Sequence, residues 1–338
     1  MATIDLISRS RAGDGDAFRD LTEPHRHELL VHCYRMLGSL QDAEDMLQDT
    51  LLAAWQGLDG FEGRASIRTW LYRIATNRCL NALRSANRRP AKEWNISENE
   101  LPERSKLGEI VWLEPYPDTL MQGGLEAPLG PEARYEQSEA ISLAFVTALQ
   151  ILPARQRAVL IMREVLGYRA AEVADMLGTT VVSVNSALKR ARVNLNQHLP
   201  ADRGEPPPTP DSPAERALVA KFVRAYEAGD VDELVALLTD DAYISMPPIP
   251  LEYHGRNVVA RFYAAVFRPG GTYDLVPTRA NGQLAFGAYR RAANGGIRHG
   301  AGLLVLTVTG DRICAMTRFD NDMLPWFGLP CSLPRRPS

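Results

Sequence analysis

Residues 169–198, RAAEVADMLGTTVVSVNSALKRARVNLNQH, restrict the fold of this chain more than any other stretch. Ala171, Val173, Ala174, Met176 and Leu177 mark a short amphipathic helix that stops at Gly178, and a Thr-Thr turn follows. Val184, Ala187, Leu188, Ala191 and Leu195 then recur at the helical period. The other face of this second helix carries Ser183, Asn185, Ser186, Lys189, Arg190 and Arg192, with no acidic residue from Val181 to His198. Two short helices about a Gly-containing turn, the second polar and basic, form a helix-turn-helix pattern. The alternative is an αα-hairpin whose basic face is merely solvated.

At 338 residues the chain is too long for one ordinary domain, and two or three are expected. Its net charge of −3 conceals a strong pattern. Residues 1–90 balance 12 basic against 12 acidic side chains, whereas residues 91–152 carry 4 against 11. Residues 153–200 carry 7 against 3, and 201–338 balance at 15 each. A basic block beside an acidic one fits a nucleic-acid contact next to a segment kept off nucleic acid. Cys33, Cys79, Cys314 and Cys331 form no CxxC pair and read as buried thiols of a reducing compartment, neither a disulfide frame nor a zinc site. The opening MATIDLISRSRAGD lacks the apolar stretch of a signal peptide, and no 18-residue apolar run follows. A cytoplasmic protein without a membrane segment, metal or cofactor is expected.

Three blocks and two connectors emerge. The first block, about 5–90, shows helical patterns at Leu29–Leu37, Ala43–Trp55 and Trp70–Leu83. Residues 91–135 form an acidic connector with Pro102, Pro115, Pro117, Pro128 and Pro131, long enough without periodicity to be functional or disordered. The second block, 136–200, is helical and holds the helix-turn-helix. A proline-rich spacer follows at 201–213. The third block, 214–330, has helical patterns at Glu215–Ala228, Val231–Leu238 and Val258–Phe267, then strand-like runs at Leu284–Tyr289, Ala301–Val308 and Ile313–Phe319. Helices followed by strands predict an α+β domain.

In the first block, DAEDMLQDTLLAAW (42–55) divides sharply into an acidic face and an apolar face. Asp42, Asp45 and Asp49, flanked by Glu44 and Gln48, are either a solvated face or a docking surface for a basic partner. The next segment interleaves Phe61, Trp70 and Tyr72 with Arg64, Arg68, Arg73, Arg78 and Arg84. Asn77, Asn81 and Arg84 are spaced to share one helix face. Basic groups hold phosphate while aromatics and amides suit unpaired bases, which is the chemistry of single-strand capture. Trp70, at helical spacing with Ile74, fits a core role equally well.

The order of a DAEDMLQDTLLAAW helix, then F-x(8)-W-L-x-x-I-A-x-N, then a separate helix-turn-helix resembles the extracytoplasmic-function class of sigma-70-type RNA polymerase sigma factors, over 5–90 and 136–198. The resemblance implies two all-α DNA-binding domains that engage core RNA polymerase through its β′ clamp helices and its β subunit. Asp42, Glu44, Asp45, Gln48 and Asp49 would face the clamp helices. Arg64, Arg68, Trp70, Arg73, Asn77, Asn81 and Arg84 would melt and hold the −10 element of promoter DNA. Ser183, Asn185, Ser186, Lys189, Arg190 and Arg192 would enter the major groove at the −35 element. After the second Asn this chain reads NALRS, without the acidic residue that the family often has there. In such factors the connector threads the polymerase toward its active centre and RNA exit path, where an acidic segment can occupy a basic channel. WLEPYPD (112–118) resembles a signature of a subgroup with an added C-terminal domain.

The third block resembles the SnoaL-like branch of the nuclear-transport-factor-like fold, a cone-shaped α+β barrel. A small-ligand pocket would draw on Tyr243, Met246, His254, Phe262, His299 and Trp326. The fold also hosts acid–base enzymes, for which Asp241, His254, His299, Arg318, Asp320 and Asp322 are the candidate groups, although no catalytic assignment follows. A regulatory module contacting the sigma core or the connector fits best, since a tethered domain acts at an effective concentration of about mM. The tail NDMLPWFGLP (321–330) either touches the connector or closes the barrel mouth. The rival functions are a helix-turn-helix repressor or activator acting without polymerase, and a SnoaL-like isomerase or hydrolase fused to a DNA-binding regulator.

Overall fold

Asp14 begins the first long helix by accepting hydrogen bonds from the backbone N–H of Asp16 and Ala17, and Gly38 ends it at φ 72°. The computed structural model describes residues 2–85, 106–107, 112–122, 141–198, 205–267, 272–291 and 296–334. The chain divides into two compact units, one of residues 1–90 and 120–200, the other of 91–119 and 201–338.

In the first unit, α1 (Ala2–Arg11), α2 (Gly15–Leu37), α3 (Leu40–Gly57) and α4 (Ile67–Ser85) form an N-terminal helical group. Leu40, Ala43, Leu47, Thr50 and Ala54 put one face of α3 into the core, so its acidic residues must face outward. The second group comprises α5 (Leu143–Ile151), α6 (Ala154–Leu160), α7 (Ala170–Leu177) and α8 (Val181–His198). Gly178, at φ 59°, ends α7, and the Thr180 hydroxyl caps α8 by accepting from Ser183 N–H at 3.2 Å. Val184, Leu188, Ala191 and Leu195 of α8 are buried, as the pattern predicts.

The two helical groups touch. Arg157 of α6 is buried and donates to the carbonyl of Met36 at the end of α2, as well as to the Gln150 side chain and, at 2.7 Å, the Gln150 carbonyl. Burial pulls its pKa down to about 10.

In the second unit, α9 (Pro213–Ala228), α10 (Val231–Ala236) and α11 (Arg256–Val266) pack on one sheet. Its strands are β1 (Lys106–Leu107), β2 (Leu238–Met246), β3 (Ile249–His254), β4 (Tyr273–Ala280), β5 (Gln283–Arg291), β6 (Arg298–Thr309), β7 (Arg312–Phe319) and β8 (Ser332–Leu333). Their order is β1-β3-β2-β7-β6-β5-β4, with β8 pairing on β6. Among the described residues only the β2–β7 pairing is parallel. Aromatic rings fill the interior: Phe222 lies 5.2 Å from Phe286, and Tyr226 lies 5.7 Å from Tyr263 and 5.9 Å from Tyr273.

The sequence pattern marks β5, β6 and β7 but not β2, β3 or β4. The physical reason is positional. Pro277 in β4 and Pro250 in β3 weaken the strand signal, and both strands lie at or next to a sheet edge, where a missing N–H is tolerated. β2 opens with exposed Asp240 and Asp241 before its alternation begins at Ala242.

Candidate nucleic-acid and polymerase interfaces

On α3, Asp45, Gln48 and Asp49 are exposed together with Leu52, while Asp42 and Glu44 are half-buried. Asp45, Gln48, Asp49 and Leu52 follow one another at helical spacing, giving one acidic stripe with an apolar residue at its C-terminal end. Such a stripe suits a basic, partly apolar helical partner.

On α4, Arg73, Asn77, Asn81 and Arg84 are exposed along one face, and a groove between α3 and α4 is lined by Gly57, Gly60, Trp70, Arg73, Asn77 and Asn81. Trp70 is half-buried and does two jobs: its ring packs 5.1 Å from that of Phe61, and its edge walls this groove. Arg64 is exposed and pairs with Glu62. Arg68 is held instead. Glu28 of α2 takes its guanidinium at 2.9 and 3.0 Å, and the guanidinium lies 4.8 Å over the Tyr72 ring. Burial alone would raise the Glu28 carboxyl, but hydrogen bonds from His25 and Arg68 keep it below the usual range.

The second helical group reaches onto this face. The Tyr168 hydroxyl accepts from Arg68 at 3.4 Å, and its ring meets Tyr72 edge-on at 5.9 Å. The Met176 carbonyl of α7 accepts from Asn77 Nδ2 at 3.4 Å. Beneath lies buried His32, whose Nε2 is 2.9 Å from Thr76 Oγ1. The Thr76 hydroxyl gives its only proton to the Tyr72 carbonyl, so His32 Nε2 must be the donor. Burial, then nearby Arg35, pulls the His32 pKa down to about 3.

On α8, Ser183, Asn185, Ser186, Lys189, Arg190 and Arg192 are all exposed, as a reading surface requires. They are not equivalent, because Arg192 pairs with Glu164.

Comparison with known proteins agrees with this arrangement. Sigma-70 region 2 matches residues 21–89, Sigma-70, region 4 matches 142–195 and the SnoaL-like domain matches 219–316. The ECF RNA polymerase sigma factor SigG of Mycobacterium tuberculosis is 44% identical over 334 residues, covering 96% of this chain and 86% of its own. The chain belongs to the ECF RNA polymerase sigma factors. SigJ of the same organism is 28% identical over 313 residues, covering 88% of this chain and 90% of its own. The crystal structure of SigJ shares the fold, with a TM-score of 0.61 at 23% identity over 90% of this sigma factor and 97% of that chain.

The C-terminal unit of the sigma factor binds its own connector. β1 adds a strand to the edge of β3, pairing Lys106 with Glu252 and Leu107 with Leu251. The segment 112–118 reaches the other edge of the sheet, where Pro117 bridges to Ala280 at the end of β4. Tyr116 is fully buried there. Its N–H donates to Asn281 Oδ1 at 2.8 Å, and Asn281 N–H donates back to its carbonyl at 2.8 Å. Asn281 is buried and sits at φ 56°, a left-handed turn position that Asn accepts more readily than most residues. Asp118 accepts from Gly282 N–H at 2.8 Å and lies 3.7 Å from Arg279; burial raises its pKa. Glu215 also holds Arg279, at 3.1 Å. The described parts of the acidic connector are therefore held at both edges of the barrel, as a strap is, a role that composition alone does not show.

The six residues expected to share a ligand pocket do not converge. Met246 and Phe262 lie in the barrel core. Tyr243 points from the opposite face of β2, since a pleated strand alternates its side chains, and it stacks on His254 at 5.1 Å. Burial pushes the Tyr243 hydroxyl up to about 12. His299 lies three strands from His254, opposite Arg290, and Trp326 is partly exposed in the 3-10 turn Asn321–Phe327. The acid–base candidates are similarly dispersed. His254 Nε2 meets Glu252 at 2.7 Å, Arg318 donates to the Ala301 carbonyl at 2.7 Å, and Asp320 caps the 3-10 turn that holds Asp322. Asp241 is exposed. That turn packs on the sheet through buried Leu324, and a Cβ on Gly300 would stand 2.6 Å from its Cδ1. Among the described residues no helix is long and apolar enough to cross a membrane.

Proposed function

We propose that this sigma factor docks the β′ clamp helices of core RNA polymerase on the acidic stripe of α3, captures the −10 element along α4 and reads the −35 element with α8, in the cytoplasm, while the β subunit contacts the second helical group. The C-terminal domain acts in cis as a holder of the connector and performs no chemistry of its own. The observation that carries the cis role is the reciprocal hydrogen-bonded pair of Tyr116 and Asn281. A connector strapped across a barrel is withheld from the polymerase channel that such connectors thread, so the domain restrains initiation until the strap lets go. Release is then a population shift, set by the differential affinity of the strap for barrel and polymerase.

Run-off transcription with purified core polymerase tests this. Asn281→Gly keeps the left-handed turn but deletes the acceptor for Tyr116 N–H, and it is expected to raise promoter-specific transcript above that of the unaltered chain. Unchanged or reduced transcript would overturn the restraining role. Replacing Asp45 and Asp49 by Lys is expected to abolish core binding while leaving the circular dichroism unchanged. Retained core binding would remove α3 as the docking surface.

A further inference from the structure

Val181, Val182 and Val193 are exposed apolar side chains of α8 that phosphate binding and polar base contacts do not use, and Val182 is the most exposed of the three. Val182 stands in the first turn of the helix with 75% of its surface exposed, and Val181 beside it is also exposed. Apart from Val181, the exposed side chains around Val182 are Ser183, Asn185, Ser186 and, two turns on, Lys189, none of which is apolar or acidic. A β-branched residue gains little in a solvated first turn, because Val is a weaker helix former than Ala and nothing there buries it. In a helix-turn-helix, the N-terminal residues of the second helix are the ones brought to the base edges. The major-groove edges of the bases present only one apolar group, the C5-methyl of thymine.

We propose that Val182 is a specificity-determining residue that reads a thymine methyl in the −35 element. The basic and polar side chains around it bring the phosphates and neighbouring base edges into place, so that the isopropyl group meets the methyl without a polar competitor. This rests on the reading of α8 as the −35-recognition helix, and it adds a thymine requirement to that reading. The residue supplies shape and apolar contact only. Its removal relaxes the preference at one base pair and leaves binding elsewhere intact.

The experiment uses the full chain with core polymerase on promoters carrying a randomised −35 element, followed by the preferred sequence with each thymine replaced in turn by deoxyuridine. At one position the replacement is expected to lower open-complex formation by about fourfold, the effect of losing one buried methyl. In Val182→Ala, an exposed substitution by a better helix former, the thymine and uracil templates are expected to bind equally at that position. A ratio unchanged in Val182→Ala, insensitivity to uracil at every position, or a preferred −35 sequence without thymine would each overturn the proposal. Failure of the underlying reading looks different: the unaltered holoenzyme would then show no base preference anywhere in the −35 library.

Discussion

The faces of α4 and α8 carry the same kinds of side chain, arginines and amides at helical spacing, yet the fold treats them differently. All six candidate residues of α8 stand exposed, Arg192 while paired with Glu164, whereas on α4 Arg68 is half-buried against Glu28 and exposed Asn77 donates to the Met176 carbonyl. On the roles proposed for them, the difference follows from what each surface would grip. Single-strand capture needs aromatic rings and guanidinium planes, which are also adhesive to protein: Arg68 lies over Tyr72 and within 5.9 Å of the Tyr168 ring. A duplex-reading helix needs mostly polar and charged groups, with small apolar contacts to thymine methyls and little to bury. On α4 the protein itself thus engages Arg68 and Asn77, while on α8 it pairs Arg192 with Glu164 and leaves the first turn exposed.

The largest test of this contrast is Arg157→Ala. Removing the guanidinium strands the Met36 carbonyl and the Gln150 side chain at the junction of the two helical groups. Hydrogen bonds to a buried charged group are worth enough that a loss of about 3 kcal/mol is expected, read from chemical denaturation of the helical unit. The free variant should bind a single-stranded −10 oligonucleotide more tightly than the unaltered chain, with duplex −35 binding unchanged. Equal gains on both DNAs would erase the distinction.

Arg190→Ala addresses the open face alone. If Arg190 makes a bidentate base contact, the variant loses about 1–3 kcal/mol at its own −35 sequence and less at others. A uniform loss across a −35 library would place Arg190 on phosphate.

The smallest effect is a pH dependence confined to the scaffold under α4. His32 stays neutral in the fold with its pKa near 3, against an ordinary value of 6.5, so the unfolded chain binds the extra proton in between. Stability is therefore full above pH 6.5 and falls as the pH drops; the loss by pH 5.5 is about 1.4 kcal/mol. Thermal melts of the sigma factor should show this slope, and His32→Gln should flatten it. A slope that survives the substitution would assign the acid sensitivity elsewhere.

The helix-turn-helix was legible from residues alone, because Gly178 and the buried Val184, Leu188, Ala191 and Leu195 are local and periodic. The acidic stripe of α3 was legible for the same reason. The ligand pocket was not, because aromatic and histidine content says nothing of which face of a pleat each residue takes, and Tyr243 and Met246 fall on opposite faces of β2. Contact between the C-terminal domain and the connector is expected from the sequence, but the residues that make the strap were not legible, for a different reason. Tyr116 and Asn281 are 165 residues apart, and no periodic signal links a proline-broken segment to the turn between two distant strands.

Sequence by itself determined the family of this protein: helix faces, charge blocks and motif order follow from short-range spacing, and they sufficed for that and for naming the side chains proposed to meet polymerase and DNA. Only the tertiary structure decided which of those side chains the protein itself engages, that Arg68 is held by Glu28 while Asn77 donates to the Met176 carbonyl, and that part of the connector is strapped on the C-terminal barrel. Those are contacts between residues far apart in the chain, set by packing and by the pairing of buried polar groups, which local composition does not encode.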